Sequence, residues 1–182
     1  MKILKKLLGK LIRILYRFVY RFIPCQEKTI LFISFHGRGY SDNPMAIHQY
    51  LSKHSQYADY RCIYAIKNHK QKKLKIENAR IIEYFSIAYF FYLARSKYWI
   101  ANCKLPKYVL KKDSQVYLQT WHGTPLKKLA HDIEVPEGTT FYRSEMSVEE
   151  MRSTYDNDVS KYNYMISPSA FTTEVFQSAF SI

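Results

Sequence analysis

The spacing of apolar and charged residues divides the chain into two segments. In residues 1–24 most positions are Leu, Ile, Val, Phe or Tyr, and six cations recur at intervals of three or four residues. These cations are Lys2, Lys6, Lys10, Arg13, Arg17 and Arg21. The spacing places them along one face of a helix that is otherwise apolar, with Tyr16 and Tyr20 as interfacial aromatics. Pro24 ends the pattern, so we predict an amphipathic helix over residues 1–24 and one domain over residues 25–182.

In the second segment, short β-prone runs alternate with helical patterns. The predicted strands are residues 28–35, 60–66, 80–84, 98–101, 116–120 and 164–167. The predicted helices are residues 44–53, 86–97, 147–155 and 169–182, with a further helix beginning at Thr124 and Pro125. Asn43 before Pro44, and Thr124 before Pro125, have the pattern of an N-cap followed by the first helical residue. This alternation, without hairpin turn signals, predicts an α/β, Rossmann-like domain with a mostly parallel sheet.

Positive charge is concentrated near the N-terminus. The chain has 28 Lys and Arg against 15 Asp and Glu, and residues 1–24 contain seven of these cations and no acid. A cation at every turn is not typical of a spanning helix, and the sequence has neither the uninterrupted apolar stretch nor the cleavage site of a secretory signal. A helix lying in the interface of an anionic membrane fits best. A helix packed on its own domain is the alternative, whereas the many Leu, Ile and Phe residues argue against a nucleic-acid partner.

The cysteines give no sign of a metal centre. Cys25, Cys62 and Cys103 have neither CxxC nor Cys/His ligand spacing. We therefore expect reduced thiols in a cytosolic protein, and neither a metal nor a cofactor is indicated. His48, within a predicted helix, is expected on the surface.

Two polar loops follow predicted strands, at the sheet edge where parallel α/β domains bind ligands. The first loop, HGRGYSDN over residues 36–43, offers two glycines for close backbone approach and Arg38 as a partner for an anion. It contains no Walker or GxGxxG pattern, so a ligand site and a tight turn that needs glycine both remain open. Capping alone accounts for Asn43.

The second loop lies in QTWHGTPLKK, residues 119–128, and carries the clearest chemical signal. His122 ends a predicted buried strand and is followed by Gly123 and Thr124 at a predicted helix start. An imidazole titrates near neutrality, which suits the removal of a proton from an attacking hydroxyl. Lys127 and Lys128, one turn further on, would raise the positive potential for a phosphorylated substrate. A structural histidine bonded to the backbone remains the alternative.

At these residues the chain resembles the CDP-glycerol glycerophosphotransferases of wall teichoic acid synthesis. The matching segments are SFHGRGYSDNPMAIHQYL (34–51), QTWHGTPLKKLAHDI (119–133) and SPSAFTTEVFQSAF (167–180). The resemblance implies a GT-B-like transferase with two Rossmann-like halves, attached peripherally to the cytoplasmic face of the cell membrane. It also implies transfer of glycerol phosphate, or ribitol phosphate in relatives, from a CDP-alditol to a lipid-linked teichoic acid acceptor.

The resemblance further implies roles for both loops. His122 matches the motif histidine that serves as the family's base, and Asn43 with Pro44 matches a first-loop motif on the acceptor side. Family members continue into a second half with another histidine and the nucleotide-binding residues. We therefore expect the N-terminal half of such an enzyme, truncated at its C-terminus, with the donor site on the other half. The alternative is a non-catalytic peripheral membrane module that binds a lipid-linked polyanion or docks a separate donor-binding half.

Overall fold

The core of the protein is a six-stranded parallel sheet with the order β3-β2-β1-β4-β5-β6. The computed structural model describes residues 14–71, 73–134 and 146–182. The strands are β1 (Gln26–Ile33), β2 (Arg61–Ile66), β3 (Ala79–Glu83), β4 (Ser96–Ala101), β5 (Val116–Gln119) and β6 (Tyr164–Met165). The predicted α/β, Rossmann-like fold with a parallel sheet is therefore confirmed.

In the described part of the chain after β1, four helices connect and flank these strands. They are α1 (Asp42–Lys53), α2 (Ile87–Arg95), α3 (Val148–Val159) and α4 (Ala170–Phe180). Short 3-10 turns lie at Phe35–Gly37, Ser55–Tyr57 and Ala130–Asp132. Ser147 and Ser169 cap α3 and α4 by accepting a backbone N–H three residues further on, and Ser147 forms a full capping box with Glu150. These local signals explain why both helices begin where the sequence predicts.

Hydrophobic residues cover both faces of the central strands. On one face, Tyr89 of α2 belongs to the same buried cluster as Trp99 and Tyr117. On the other face, Phe32 and Tyr64 stack in parallel with ring centroids 5.3 Å apart, next to the apolar side of α1. Burial on both faces explains why β1 is an almost continuous apolar run rather than an alternating one.

The N-terminal helix is attached to the domain by its tyrosines. Residues 14–19 are helical, and Tyr16 and Tyr20 are buried in the core. The Tyr16 hydroxyl donates to the carbonyl of Leu110 at 3.2 Å, and the ammonium of Lys112 lies 5.0 Å from the Tyr20 ring centroid. The prediction of interfacial tyrosines is therefore wrong, because both rings face the protein. Lys2, Lys6, Lys10 and Arg13 lie outside the described residues.

The opposite side of this helix is apolar and exposed. Ile14, Leu15, Phe18 and Phe22 are each at least half exposed. Arg17 and Arg21 are exposed on the same segment. Within the described ranges, none of the helices is long and apolar enough to cross a membrane.

The predicted helix beginning at Thr124 and Pro125 is wrong. Residues 121–129 are irregular, because Trp121 (φ 55°) and Gly123 (φ 72°) adopt left-handed conformations that change the chain direction. Trp121, in the turn, and Ala130, after it, are buried against the C-terminal helix α4. The buried members of this cluster are Trp121, Ala130, Phe176, Ala179 and Phe180. Tertiary packing therefore overrides a local helix signal.

Three further expectations need correction. Helix α1 begins at Asp42 with Ser41 in the N-cap position, so Asn43 is not the cap. His48 is 2% exposed rather than on the surface. Helix α4 ends at Phe180 instead of continuing to residue 182, because Ser181 adopts a left-handed conformation (φ 55°).

Candidate functional site

Three loops meet at the carboxyl edge of the sheet. Strand β4 lies directly between β1 and β5, so the segments that follow these three strands are neighbours. The chain turns to one side of β1 to form β2 and β3 and then crosses to the other side to form β4. Ligand sites of open α/β sheets lie at such a reversal of strand order. The loops after β1 and β5 are the two polar loops that the sequence indicates as candidate ligand sites.

Asn102, the first residue after β4, joins these loops. Its side chain is fully buried, accepts from the backbone N–H of Phe35 at 2.7 Å, and donates to Oδ2 of Asp42 at 2.6 Å. The backbone carbonyl oxygen of Asn102 accepts from Nδ1 of His122 at 2.5 Å. Sequence reasoning missed Asn102. The available signal was an amide residue directly after a buried apolar strand, where a polar side chain needs partners.

His122 is exposed at the end of β5, with its ring held between two aromatic residues. The Trp121 ring is nearly parallel to the imidazole at a centroid distance of 5.1 Å, and the Phe35 ring approaches edge-on at 5.4 Å. A carbonyl oxygen can only accept a hydrogen bond, so the bond to Asn102 places the proton on Nδ1 of the neutral ring. Nε2 then carries the lone pair, which is the state that a general base requires.

His36 is the second histidine of this site, and no role beyond its place in the loop was predictable for it from the sequence. It adopts a left-handed conformation (φ 56°), and its backbone N–H donates to Sγ of Cys103 at 3.1 Å. Gly37 follows with φ +80°, and a Cβ there would lie 2.7 Å from Cβ of Tyr84. The close approach to Tyr84 and the positive φ explain why glycine is required at this position.

The surroundings of His36 are positively charged. Its pKa is lowered first by partial desolvation and then by the charges of Lys67, Arg38, His122 and Lys104. His36 is therefore held neutral near pH 7. The same cations would attract an anionic group that approached this edge of the sheet.

A cleft of about 810 Å³ opens beside His36. Lys67, Lys104 and Lys107 line one part of it, and the remaining wall is mostly apolar or aromatic. The apolar and aromatic lining residues are Tyr84, Phe85, Leu105, Pro106, Ile133, Met146, Met151 and Tyr155. No role was predictable for these three lysines from the sequence, because they lie outside both motif loops.

The predicted site residues of the two loops differ in their contacts and exposure. The side-chain amide of Asn43 donates to the carbonyl of Thr120 at 3.3 Å, which joins the start of α1 to the end of β5. Arg38 lies in the charged surroundings of His36. Gly123 and Thr124 follow His122 and are exposed.

Lys127 and Lys128 do not lie on a helix. Both are exposed on the irregular segment that follows β5, and Lys128 forms an ion pair with Glu134. In the part of the chain that the structure describes, no three His, Cys, Asp or Glu side chains are placed to hold a metal ion. The described residues of this site provide an oriented imidazole, a buried amide and several cations.

Known proteins match this chain over nearly its whole length. The family model described as "CDP-Glycerol:Poly(glycerophosphate) glycerophosphotransferase" matches residues 14–182. The teichoic acid poly(glycerol phosphate) polymerase of Bacillus spizizenii is 38% identical over 161 residues, which are 87% of this chain and 39% of the relative. The teichoic acid glycerol-phosphate transferase of Staphylococcus aureus is 34% identical over 155 residues, covering 84% of this chain and 37% of that protein.

The fold also matches solved structures. The wall teichoic acid polymerase TagF superimposes with a TM-score of 0.83 and 34% identity, covering 93% of this chain and 39% of the polymerase chain. An H444N form of TagF that was soaked with CDPG matches with the same TM-score. The chain thus spans about two fifths of the length of these relatives.

Proposed function

The chain belongs to the CDP-glycerol:poly(glycerophosphate) glycerophosphotransferase family, and from this premise we propose that it forms the acceptor-side half of a teichoic acid glycerophosphotransferase. In this proposal, His122 removes the proton from a hydroxyl of a lipid-linked acceptor. The hydroxyl oxygen attacks the β-phosphorus of CDP-glycerol, a new phosphodiester forms, and the bond to CMP breaks. The proton ends on Nε2 of His122.

The observation that carries this proposal is the hydrogen bond from His122 Nδ1 to the Asn102 carbonyl. This bond fixes both the tautomer and the ring orientation, so that Nε2 is the basic nitrogen. Trp121 and Phe35 restrict the ring further by packing on it. A base positioned in this way typically contributes a factor of about 10² to 10⁴ in rate.

The charge around His36 suits phosphoryl transfer. Such reactions depend mainly on positioning and on neutralisation of the phosphate charge, and they need no covalent intermediate on the protein. Arg38, Lys67 and Lys104 supply positive charge on the acceptor side. We place the CDP-glycerol or related CDP-alditol donor mainly on the part of the relatives that this chain does not cover.

We further propose that residues 1–24 attach the acceptor-side domain, residues 25–182, to the cytoplasmic face of the membrane as a peripheral protein. Phe18 is 66% exposed and Phe22 is 72% exposed, on a helix held to the domain by its opposite side. Arg17 and Arg21 are exposed beside them. Apolar side chains next to cations suit an interface with anionic head groups. This arrangement would bring the site to a lipid-linked acceptor.

A chimeric enzyme tests the base role. The chain would replace the matching 161 residues of the Bacillus spizizenii polymerase, and transfer from CDP-glycerol to a lipid-linked acceptor would be measured. We expect His122→Ala to lower turnover by about 10²- to 10⁴-fold. The matched control is His54→Ala, because Nδ1 of His54 also bonds a backbone carbonyl, that of Tyr50 at 2.7 Å, at the opposite end of α1. Normal turnover in a folded His122→Ala enzyme would eliminate the base role and leave a structural role for His122 through its bond to the backbone.

A further inference from the structure

Three lysines from two loops line the cleft beside His36. Lys67 follows β2, whereas Lys104 and Lys107 follow β4. Since β1 lies between these two strands, the lysines approach the cleft from both sides of the loop that carries His36. Ammonium groups on different loops come together only through the fold, which is why no sequence motif marks them.

Neutral groups hold the two lysines that follow β4. Nζ of Lys104 donates to Oγ1 of Thr154 at 3.2 Å and lies 3.4 Å from the ring centroid of Tyr155. Nζ of Lys107 donates to Oγ of Ser153 at 3.2 Å. An ammonium has three N–H donors, so these contacts orient the lysines and leave donor capacity for a ligand. Nζ of Lys67 lies 5.1 Å from the Tyr84 ring centroid, also without neutralisation of its charge.

The charge of this lysine cluster (Lys67, Lys104 and Lys107) is not balanced by an ion pair within the described residues. Three lysines outside the cleft do form such pairs with carboxylates. These pairs are Lys28 with Asp59, Lys97 with Glu27, and Lys128 with Glu134. Asp and Glu are likewise absent from the described residues that line the cleft. Desolvation lowers the pKa of Lys104, the nearby carboxylate of Asp158 offsets part of this shift, and Lys107 adds to it. A further anion in the cleft would favour the charged form of Lys104.

We propose that the lysine cluster binds a phosphate of the poly(glycerol phosphate) acceptor, next to the hydroxyl that is extended. This inference rests on the proposed function and specifies where its acceptor lies. His36 lines the cleft, and the ring of the adjacent Phe35 packs on the His122 ring with centroids 5.4 Å apart. In a glycerol phosphate chain, only one glycerol unit separates the terminal hydroxyl from the nearest phosphate. A hydroxyl at His122 therefore places that phosphate near the lysines.

Direct binding to the purified 182-residue chain is the first test. The probes are a short synthetic glycerol phosphate oligomer with a free terminal hydroxyl, inorganic phosphate, uncharged glycerol and CDP-glycerol. We expect the oligomer to bind more tightly than phosphate or glycerol, and CDP-glycerol to bind more weakly than the oligomer. Lys104→Gln and Lys67→Gln should each weaken oligomer binding by about 10- to 100-fold, the usual effect of losing a hydrogen bond to a charged group.

Matched variants decide the outcome of the binding test. Lys28→Gln removes a lysine paired with Asp59 outside the cleft and should leave oligomer binding unchanged. Lys104→Arg keeps the charge and should retain most of the affinity, which excludes misfolding as the cause of the loss in Lys104→Gln. Equal weakening by Lys28→Gln, or tighter binding of CDP-glycerol through the same lysines, would overturn the proposal.

Kinetics of the chimeric enzyme separate this proposal from the base role of His122. Lys104→Gln should raise KM for the acceptor by about 10-fold or more, with kcat nearly unchanged, whereas His122→Ala should lower kcat. If His122→Ala stays active while Lys104→Gln still raises KM, the base role fails and the phosphate site remains. An unchanged acceptor KM in Lys104→Gln would refute the phosphate site alone.

Discussion

The side-chain amide of Asn102 donates to Oδ2 of Asp42 at 2.6 Å and so ties the end of β4 to the first residue of α1. Asp42 adopts a left-handed conformation (φ 60°), in which a non-glycine residue needs support from its surroundings. The same amide accepts from Phe35 in the loop after β1. This buried side chain therefore holds both ends of the loop after β1, and the backbone carbonyl of Asn102 orients His122 beside that loop.

We predict that Asn102→Ala impairs stability and turnover together. The substitution leaves the N–H of Phe35 without its acceptor, and the loss of one buried partner costs about 1–3 kcal/mol. It also removes the tie to Asp42, so turnover per folded chimeric enzyme should fall at least 10-fold. Urea unfolding and transfer assays measure the two effects.

Gln115→Ala is the matched control for this prediction. Gln115 is equally buried, and its amide donates to the carbonyls of Leu93 and Ser96 at the opposite edge of the sheet. It should lose similar stability and keep its turnover. Equal turnover in the two variants would contradict the positioning role of Asn102.

A second prediction concerns the turn at Gly37. Gly37→Ala should lower the free energy of unfolding by about 1–3 kcal/mol, because the new Cβ would meet Tyr84 at 2.7 Å in a conformation that disfavours alanine. Gly39→Ala is the control, since nothing lies within 4 Å of a Cβ at that position. Chemical denaturation of both variants provides the comparison. Similar stabilities would show that the loop adjusts without strain.

Elements that depend on local patterns were predictable from the sequence, whereas contacts between distant residues were not. Strand β1 and the starts of α3 and α4 were predictable, because an apolar run and a cap are local patterns. Ser147 caps α3 through a residue three positions away. The site was only partly predictable, because its hydrogen bonds join distant residues. Asn102 and Phe35 are 67 residues apart, and Asn43 and Thr120 are 77 apart.

The helix predicted to begin at Thr124 does not form, and the reason is again a contact between residues that are distant in sequence. Its local pattern satisfies the rules for a helix start, but burial of Trp121 against Phe176 and Phe180 requires a different path. No local pattern records that contact. His122 was predictable as a chemical candidate, whereas the partner that fixes its tautomer was not.

A third prediction is that stability falls below pH 6.5, partly because of His48. This buried imidazole contacts the hydroxyls of Tyr40 at 2.9 Å and Ser52 at 3.3 Å, and desolvation lowers its pKa. The unfolded chain binds the proton near pH 6.5 and the folded chain only at lower pH. Stability is therefore complete above pH 6.5 and is lost as the pH falls towards the folded-state pKa, by up to about 1.4 kcal/mol per pH unit.

Urea unfolding between pH 8 and pH 5 measures this dependence. His48→Gln should be less stable than the parent at pH 8 but should lose less stability on acidification. His36→Gln should remove a further share of the slope, because the pKa of His36 is lowered as well. If His48→Gln keeps the full slope of the parent chain, His48 does not contribute.

A fourth prediction concerns the membrane. The 182-residue chain should bind anionic vesicles more strongly than neutral ones, and added salt should weaken binding, because each Lys or Arg near an anionic surface contributes about 1 kcal/mol. Replacing both Phe18 and Phe22 by Ser should reduce binding at constant charge. Leu126→Ser is the control, since Leu126 is 85% exposed outside this helix. Binding is measured by vesicle co-sedimentation. If it depends neither on lipid charge nor on Phe18 and Phe22, this surface does not attach the chain to the membrane.

The central position of β4 also determines when the site can form during synthesis. The ribosome releases β1, β2 and β3 first, and until residues 96–101 follow, one edge of β1 lacks a neighbour. An open edge with apolar residues is a template for aggregation of nascent chains. Asn102 leaves the ribosome directly after the strand that closes this edge. The pairing of β1 with β4 and the hydrogen bonds from the Asn102 side chain to Phe35 and Asp42 can therefore form in the same step of synthesis.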